Sequence, residues 1–211
     1  AEEKITVNGN VDLYAVVFNR TTETDLTEDQ LPQVDIYKYK QVIFVGDSRT
    51  EFMENVLTGM GESATKNVKF VCSAGKGLDW FTTTGWAQLY SIVQHDSNSI
   101  LSKKTAVIFN FGVNDLSKSA DYAEYYNWIA PQLKSKGCEL YFMSVNPVNR
   151  LMLPNAGRAD RSEAAVRSFN QYMKANLSSA YTYIDMYSYL KSTGYSFASD
   201  HYGTGTVDDG L

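Results

Sequence analysis

The sequence predicts an α/β fold: a five-stranded parallel sheet in a three-layer sandwich, with helices on both faces. Two observations lead to this class. Short apolar segments rich in β-branched and aromatic residues alternate with segments whose apolar residues follow helical spacing. Several of the apolar segments also end at once in glycine and polar residues, as strands do where an open α/β sheet forms its binding crevice.

The elements follow from these patterns in chain order. Five strands are predicted from the buried apolar runs, at Val42 to Val45, Val68 to Cys72, Ala106 to Phe111, Leu140 to Val145 and Tyr181 to Ile184. Four helices are predicted between them, at Thr50 to Leu57, Trp80 to Gln94, Asp121 to Lys134 and Asp160 to Leu177. Asp160 is the expected N-cap of the last helix. Pro131 is expected to end or kink the third helix.

Length and composition indicate one compact domain. The 211 residues, 44% of them hydrophobic, suffice for a sizeable core. We assign residues 39–211 to this domain and residues 1–38 to an N-terminal extension or edge element. The chain begins Ala-Glu-Glu-Lys, without Met or an apolar signal region. This start is typical of a mature secreted product or a trimmed chain, so we expect an extracellular or cell-surface location.

Charge and cysteine content exclude several classes of function. Lys plus Arg number 19 against 24 for Asp plus Glu, a net charge of −5 with no basic block, which argues against a nucleic-acid partner. No run reaches the roughly 18 to 20 apolar residues that a membrane span needs. Cys72 and Cys138, with two histidines, are too sparse for a metal cluster. Both cysteines are predicted to be free and buried.

Three predicted strands end in turns that suit acyl transfer. The first gives Gly46-Asp47-Ser48, the second contains Gly75 and Gly77, and the third gives Gly112-Val113-Asn114-Asp115. A serine nucleophile needs a base, and the tetrahedral oxyanion needs fixed donors. Ser48 can supply the hydroxyl and one N–H, a glycine of the second turn another N–H, and Asn114 a side-chain amide.

These blocks, in this order, resemble those of the SGNH hydrolases, the Gly-Asp-Ser esterase and lipase superfamily, from Val42 to the C-terminus. The resemblance implies the flavodoxin-like fold of that superfamily, with Ser48 as nucleophile. It also implies that the oxyanion donors are Asn114 and Gly77, with Gly75 as the fallback for Gly77. A further implication is an Asp-x-x-His block near the C-terminus. Asp209 matches the orienting acid of that block. No metal or cofactor is expected.

The C-terminal block departs from the superfamily pattern. The base would be the residue after Leu211, where the sequence ends. Three explanations stay open: the chain is a piece of a longer protein, His201 serves as the base instead, or the domain evolved without a base. As the sequence stands, we expect poor catalysis.

The expected activity is hydrolysis of small acyl esters, such as acetyl esters on carbohydrate, through an acyl-enzyme. A sugar O-acyltransferase and a non-catalytic carbohydrate-binding or adhesion domain are the alternatives. Each residue also has a plainer interpretation: Ser48 could cap the helix that follows, and Asn114 and Asp115 could be ordinary turn residues. Arg49 could recognise an anionic group or pair with Glu51 or another acid.

Overall fold

The computed structural model describes residues 39–61, 66–96, 104–148 and 161–192. Within these ranges lie five strands, β1 (Gln41–Gly46), β2 (Val68–Cys72), β3 (Thr105–Asn110), β4 (Cys138–Met143) and β5 (Tyr181–Ile184). They form one sheet in the order β2-β1-β3-β4-β5, and every pair is parallel. The predicted α/β class and parallel sheet are confirmed, and each predicted strand is present.

Five helices are described together with the sheet: α1 (Ser48–Gly59), α2 (residues 78–96), α3 (Ser119–Ser135), α4 (Glu163–Asn176) and α5 (Met186–Ser192). Helix α2 contains a π-helical segment at Phe81–Gly85, and a 3₁₀ turn at Leu116–Lys118 leads into α3. The first four helices correspond to the four predicted ones. The fifth was not predicted, because seven residues are too few for a clear helical period.

Pro131 does not end α3, and Asp160 is not the N-cap of α4. Helix α3 continues past Pro131 to Ser135, with Ile129, Ala130 and Leu133 buried on either side of the proline. This burial sustains the helix, since tertiary packing supplies most helical stability. The N-cap of α4 is Ser162, whose hydroxyl accepts a hydrogen bond from the Ala165 N–H at 3.1 Å. Asp160, the expected cap, lies outside the described residues.

The core divides into two clusters that share β1 and β3. Side chains alternate across a strand, so Ile43 and Val45 face one way and Val42 and Phe44 the other. The first pair belongs to the larger cluster, with buried residues of α2, α3 and α4, and the second pair to the smaller one. All six residues of β1 and of β3 are buried, as expected for central strands of a parallel sheet. Helices on both faces of the sheet remain a prediction.

The two cysteines are free, as predicted, but only one is buried. Cys138, at the start of β4, is 2% exposed. Cys72, at the end of β2, is half-buried, and its thiol donates to Glu54 Oε2 at 3.2 Å. Burial and this carboxylate raise the pKa of Cys72 to about 12. The prediction that both thiols are buried is therefore wrong for Cys72, which lies on an edge strand of the sheet.

No helix in the described ranges combines the length and the apolar character needed to cross a bilayer. The predicted N-terminal extension, residues 1–38, lies outside the described residues, as does residue 193 onward.

Candidate active site

The turns that carry the predicted site residues follow three adjacent strands. Gly46, the last residue of β1, is aligned with Cys72 at the end of β2 and with Asn110 at the end of β3. The three strands therefore end level with one another at the carboxyl edge of the sheet. In the order β2-β1-β3-β4-β5 the chain reverses its winding between β1 and β3, and ligands of such folds bind outside that switch point. Ser48 follows β1, and Asn114 follows β3.

Ser48 is the first residue of α1, and it does not cap the helix. Asp47 is the N-cap, and its Oδ1 accepts the Arg49 N–H at 3.1 Å. The Thr50 and Glu51 N–H groups both donate to the Asp47 carbonyl. The Ser48 N–H and its half-buried hydroxyl make no hydrogen bond to another described residue, and a free N–H is expected in the first turn of a helix. The capping interpretation of Ser48 is therefore wrong.

Arg49 joins the Ser48 turn to β3. Its Nε and Nη2 donate to the two carboxylate oxygens of Asp47 at 3.0 and 2.9 Å, and Nη2 also donates to the Asn110 carbonyl at 3.2 Å. Asp47 is fully buried, and the Arg49 side chain is 10% exposed. Arg49 therefore neutralises a buried carboxylate. Glu51 is not its partner, because Glu51 accepts the Ala74 N–H of the second turn at 2.6 Å.

The second turn requires glycine at position 77. A Cβ built on Gly77 would lie 2.3 and 2.8 Å from the two carboxylate oxygens of Asp115. Gly77 precedes α2 as its N-cap, and its own N–H makes no hydrogen bond within the described part of the chain. Gly75 is glycine for another reason, a φ of +70° with open space around it. Position 77 therefore has no room for a side chain, whereas position 75 has.

The third turn is joined to the second by side chains. Gly112 has a φ of +133°, which bends the chain after β3. Asn114 Nδ2 donates to the Lys76 carbonyl at 2.8 Å, and Asp115 Oδ2 accepts the Leu78 N–H at 2.9 Å. Asn114 and Asp115 therefore hold residues 76–78 from the β3 side. Neither is an ordinary turn residue.

Asp115 is a partly buried carboxylate between two donors. Its Oδ1 accepts the hydroxyl of Tyr122, a fully buried residue of α3, at 2.8 Å. Burial raises the pKa of Asp115, and the bonds from Leu78 and Tyr122 oppose that rise. Lys118, which is paired with Asp79 at 2.9 Å, also lowers the pKa of Asp115, by a smaller amount than those two bonds. The sequence analysis did not predict that Asp115 joins the second turn to α3, because these contacts are not visible in any local sequence pattern.

Hydrogen bonds thus join the segments that follow β1, β2 and β3 at this edge of the sheet. The segment after β1 is joined to the second turn through Glu51 and to the last residue of β3 through Arg49, and the second and third turns are joined through Asn114 and Asp115. His201, the alternative base, and Asp209, the expected orienting acid, lie outside the described residues. In the described ranges no group of three or more His, Cys, Asp or Glu side chains is arranged to hold a metal ion.

Comparison with known proteins gives no family assignment. No protein-family model matches the chain, and no curated protein sequence does. Solved structures do match, among them a Bacillus subtilis protein, YxiM, with a TM-score of 0.46 and 15% sequence identity. The match covers 75% of this chain and 46% of that chain, so the chain spans less than half the length of YxiM.

Proposed function

We propose that the protein is a serine esterase of the SGNH type that works through an acyl-enzyme on Ser48. The observation that supports the proposal is that β1, which leads to Ser48, ends level with β2 and β3 at the switch point, and that the turns after β2 and β3, which bear the expected oxyanion donors, are hydrogen-bonded to each other. Asp47 caps α1 in place of Ser48, so the serine hydroxyl is available for chemistry.

The reaction begins with attack of Ser48 Oγ on the ester carbonyl. A histidine takes the serine proton and then gives it to the leaving alcohol, while Asp209 orients that histidine. The histidine is either the residue that the resemblance places after Leu211 or His201. The N–H groups of Ser48 and Gly77 and the Asn114 amide stabilise the oxyanion, and one such donor contributes about 3 to 4 kcal/mol in other hydrolases. Water then releases the acid.

The side-chain amide of Asn114 has two N–H groups. Without substrate the amide donates to the Lys76 carbonyl, and in this scheme we expect its second N–H to donate to the oxyanion. Catalytic hydrogen bonds often form fully only in the complex, so the substrate-free contact is consistent with the role. The substrates that the resemblance favours are small acyl esters, such as acetyl groups on carbohydrate.

A fluorophosphonate probe tests the nucleophile in the full-length protein. We expect peptide mass spectrometry to find the adduct on Ser48, no adduct in Ser48→Ala, and normal labelling in Ser73→Ala. Ser73 is a matched control because it also follows a strand at this edge and is half-buried. Labelling that survives in Ser48→Ala would overturn the proposal.

Product analysis separates the esterase from its alternatives. With p-nitrophenyl acetate and an added sugar acceptor, an esterase releases acetate, whereas an O-acyltransferase gives an acetylated sugar. Glycan binding without any Ser48 labelling would instead support a carbohydrate-binding or adhesion domain.

A further inference from the structure

We propose that Asp115, held by Tyr122, is a positioning residue that keeps the Gly77 turn in place for oxyanion binding during turnover. The inference rests on the proposed esterase function. It concerns how the second turn stays ordered while Asn114 serves the oxyanion.

Two contacts hold residues 76–78 when no substrate is bound. Asn114 donates to the Lys76 carbonyl at 2.8 Å, which fixes the peptide plane that also contains the Gly77 N–H. Asp115 accepts the Leu78 N–H at 2.9 Å, which fixes the next peptide plane. The Gly77 N–H therefore depends on both contacts for its direction.

Only one of these contacts is independent of the chemistry. The Asn114 amide has two N–H groups, so its contact with Lys76 is shared by a side chain that also serves the oxyanion. Asp115 has no such second task, and its carboxylate lies against the Gly77 Cα so closely that a Cβ there would be 2.3 Å from Oδ2. This contact involves no group that the reaction needs.

Asp115 is suited to this role because it is tied to the core. Tyr122 is fully buried in α3 and donates to Oδ1, the carboxylate oxygen that Leu78 does not use. The backbone of Asp115 is held as well, since its N–H donates to the Gly112 carbonyl and its carbonyl accepts the Lys118 N–H. A displacement of about 1 Å at a catalytic group can cost on the order of 10²-fold in rate, so a fixed anchor here has a large kinetic effect.

The test uses Asp115→Ala, Asp115→Asn and Tyr122→Phe in the full-length protein, with Asp121→Ala as an exposed carboxylate control in the same segment. Asparagine can still accept the Leu78 N–H, and the tyrosine hydroxyl can accept from its amide, so Asp115→Asn should preserve the anchor. The readouts are kcat and KM for p-nitrophenyl acetate and the hydrogen exchange of the Leu78 amide by NMR.

We expect Asp115→Ala to lower kcat on the order of 10²-fold with little change in KM, and to speed Leu78 exchange. Asp115→Asn and the control should remain close to wild type, and Tyr122→Phe should fall between. A purely structural role would lower the melting temperature of Asp115→Ala and leave kcat per folded molecule unchanged, which would overturn the inference. If Asp115→Ala does not fold, Tyr122→Phe is the deciding variant, because it keeps the aromatic packing. Wild-type kcat and wild-type Leu78 exchange in Tyr122→Phe would then overturn the positioning role.

Ser48→Ala separates the two proposals. If Ser48→Ala abolishes turnover and the Asp115 variants behave as wild type, the positioning role is wrong and the esterase proposal stands. If turnover is absent in the wild type or survives in Ser48→Ala, the esterase proposal falls, and the positioning role with it.

Discussion

Asp47 determines how the Ser48 turn is built. Its carboxylate caps α1, accepts two bonds from the Arg49 side chain and is fully buried. Aspartate and serine are about equally good N-caps, so the sequence Gly46-Asp47-Ser48 cannot show which of them caps the helix. The structure assigns the cap to Asp47 and leaves Ser48 one position inside the helix.

Gly77→Ala tests the closest contact at the site. The new Cβ would meet the Asp115 carboxylate at 2.3 Å, so either the turn or the aspartate must move. We expect turnover to fall on the order of 10²-fold, in line with displacement of a catalytic group. Gly59→Ala is the control, since nothing lies within 4 Å of its Cβ position. Equal activity of the two variants would contradict the role given to Gly77.

Arg49→Gln tests the buried ion pair. Removal of one partner leaves an uncompensated buried charge on Asp47, which costs about 3 to 5 kcal/mol in comparable pairs. We expect a loss of this order in the free energy of unfolding, measured by urea denaturation. Lys118→Gln removes an ion pair in which the Asp79 side chain is 84% exposed, and it should change stability little. If Arg49→Gln lowered the free energy of unfolding as little as Lys118→Gln, Arg49 would not compensate a buried charge.

Side-chain amides also join whole elements. Asn170 of α4 accepts the Val145 N–H and donates to the Val145 carbonyl, both at 2.8 Å, two residues past the end of β4. Asn170 is 6% exposed, so both backbone groups are paired away from water. This contact ties α4 to the chain leaving β4, next to the edge where the site lies.

Asn170→Ala should therefore destabilise the fold. It leaves a buried N–H and a buried carbonyl without their partner, at about 1 to 3 kcal/mol for each unpaired group. We expect a clear drop in the urea midpoint. Asn176→Ala, in the same helix but exposed, removes a bond to the Tyr172 carbonyl and should have little effect. Comparable urea midpoints for the two variants would contradict the role given to Asn170 in joining α4 to the chain after β4.

Element type was predictable from the sequence where a segment has a strong pattern of its own. All five strands and four of the helices were predicted correctly, because buried runs such as Val42 to Val45 and stripes such as that of α4 are local signals. The N-cap of α4 was not predicted correctly, because Ser162 lies two residues from Asp160 and both residue types can accept hydrogen bonds from the first N–H groups of a helix. The π-helical segment of α2 and the short α5 carry no such signal.

At the scale of the molecule, the sequence located the turns but not the contacts between them. The turns after β1, β2 and β3 were predicted to carry the site residues, and the three strands end together. The links across them join residues far apart in the chain, such as Leu78 with Asp115 and Arg49 with Asn110. Those contacts depend on the strand order, which local periodicity does not determine. His201 and Asp209, outside the described residues, stay predictions.

The central claim is that Ser48 forms an acyl-enzyme. Its most direct test is the intact mass of the full-length protein, quenched in acid during turnover of p-nitrophenyl acetate, followed by peptide mapping. The account predicts an acetyl adduct of about 42 Da on Ser48, as covalent catalysis requires, and neither adduct nor turnover in Ser48→Ala. Hydrolysis at the wild-type rate by Ser48→Ala, or an adduct on another residue that turns over with substrate, would contradict it.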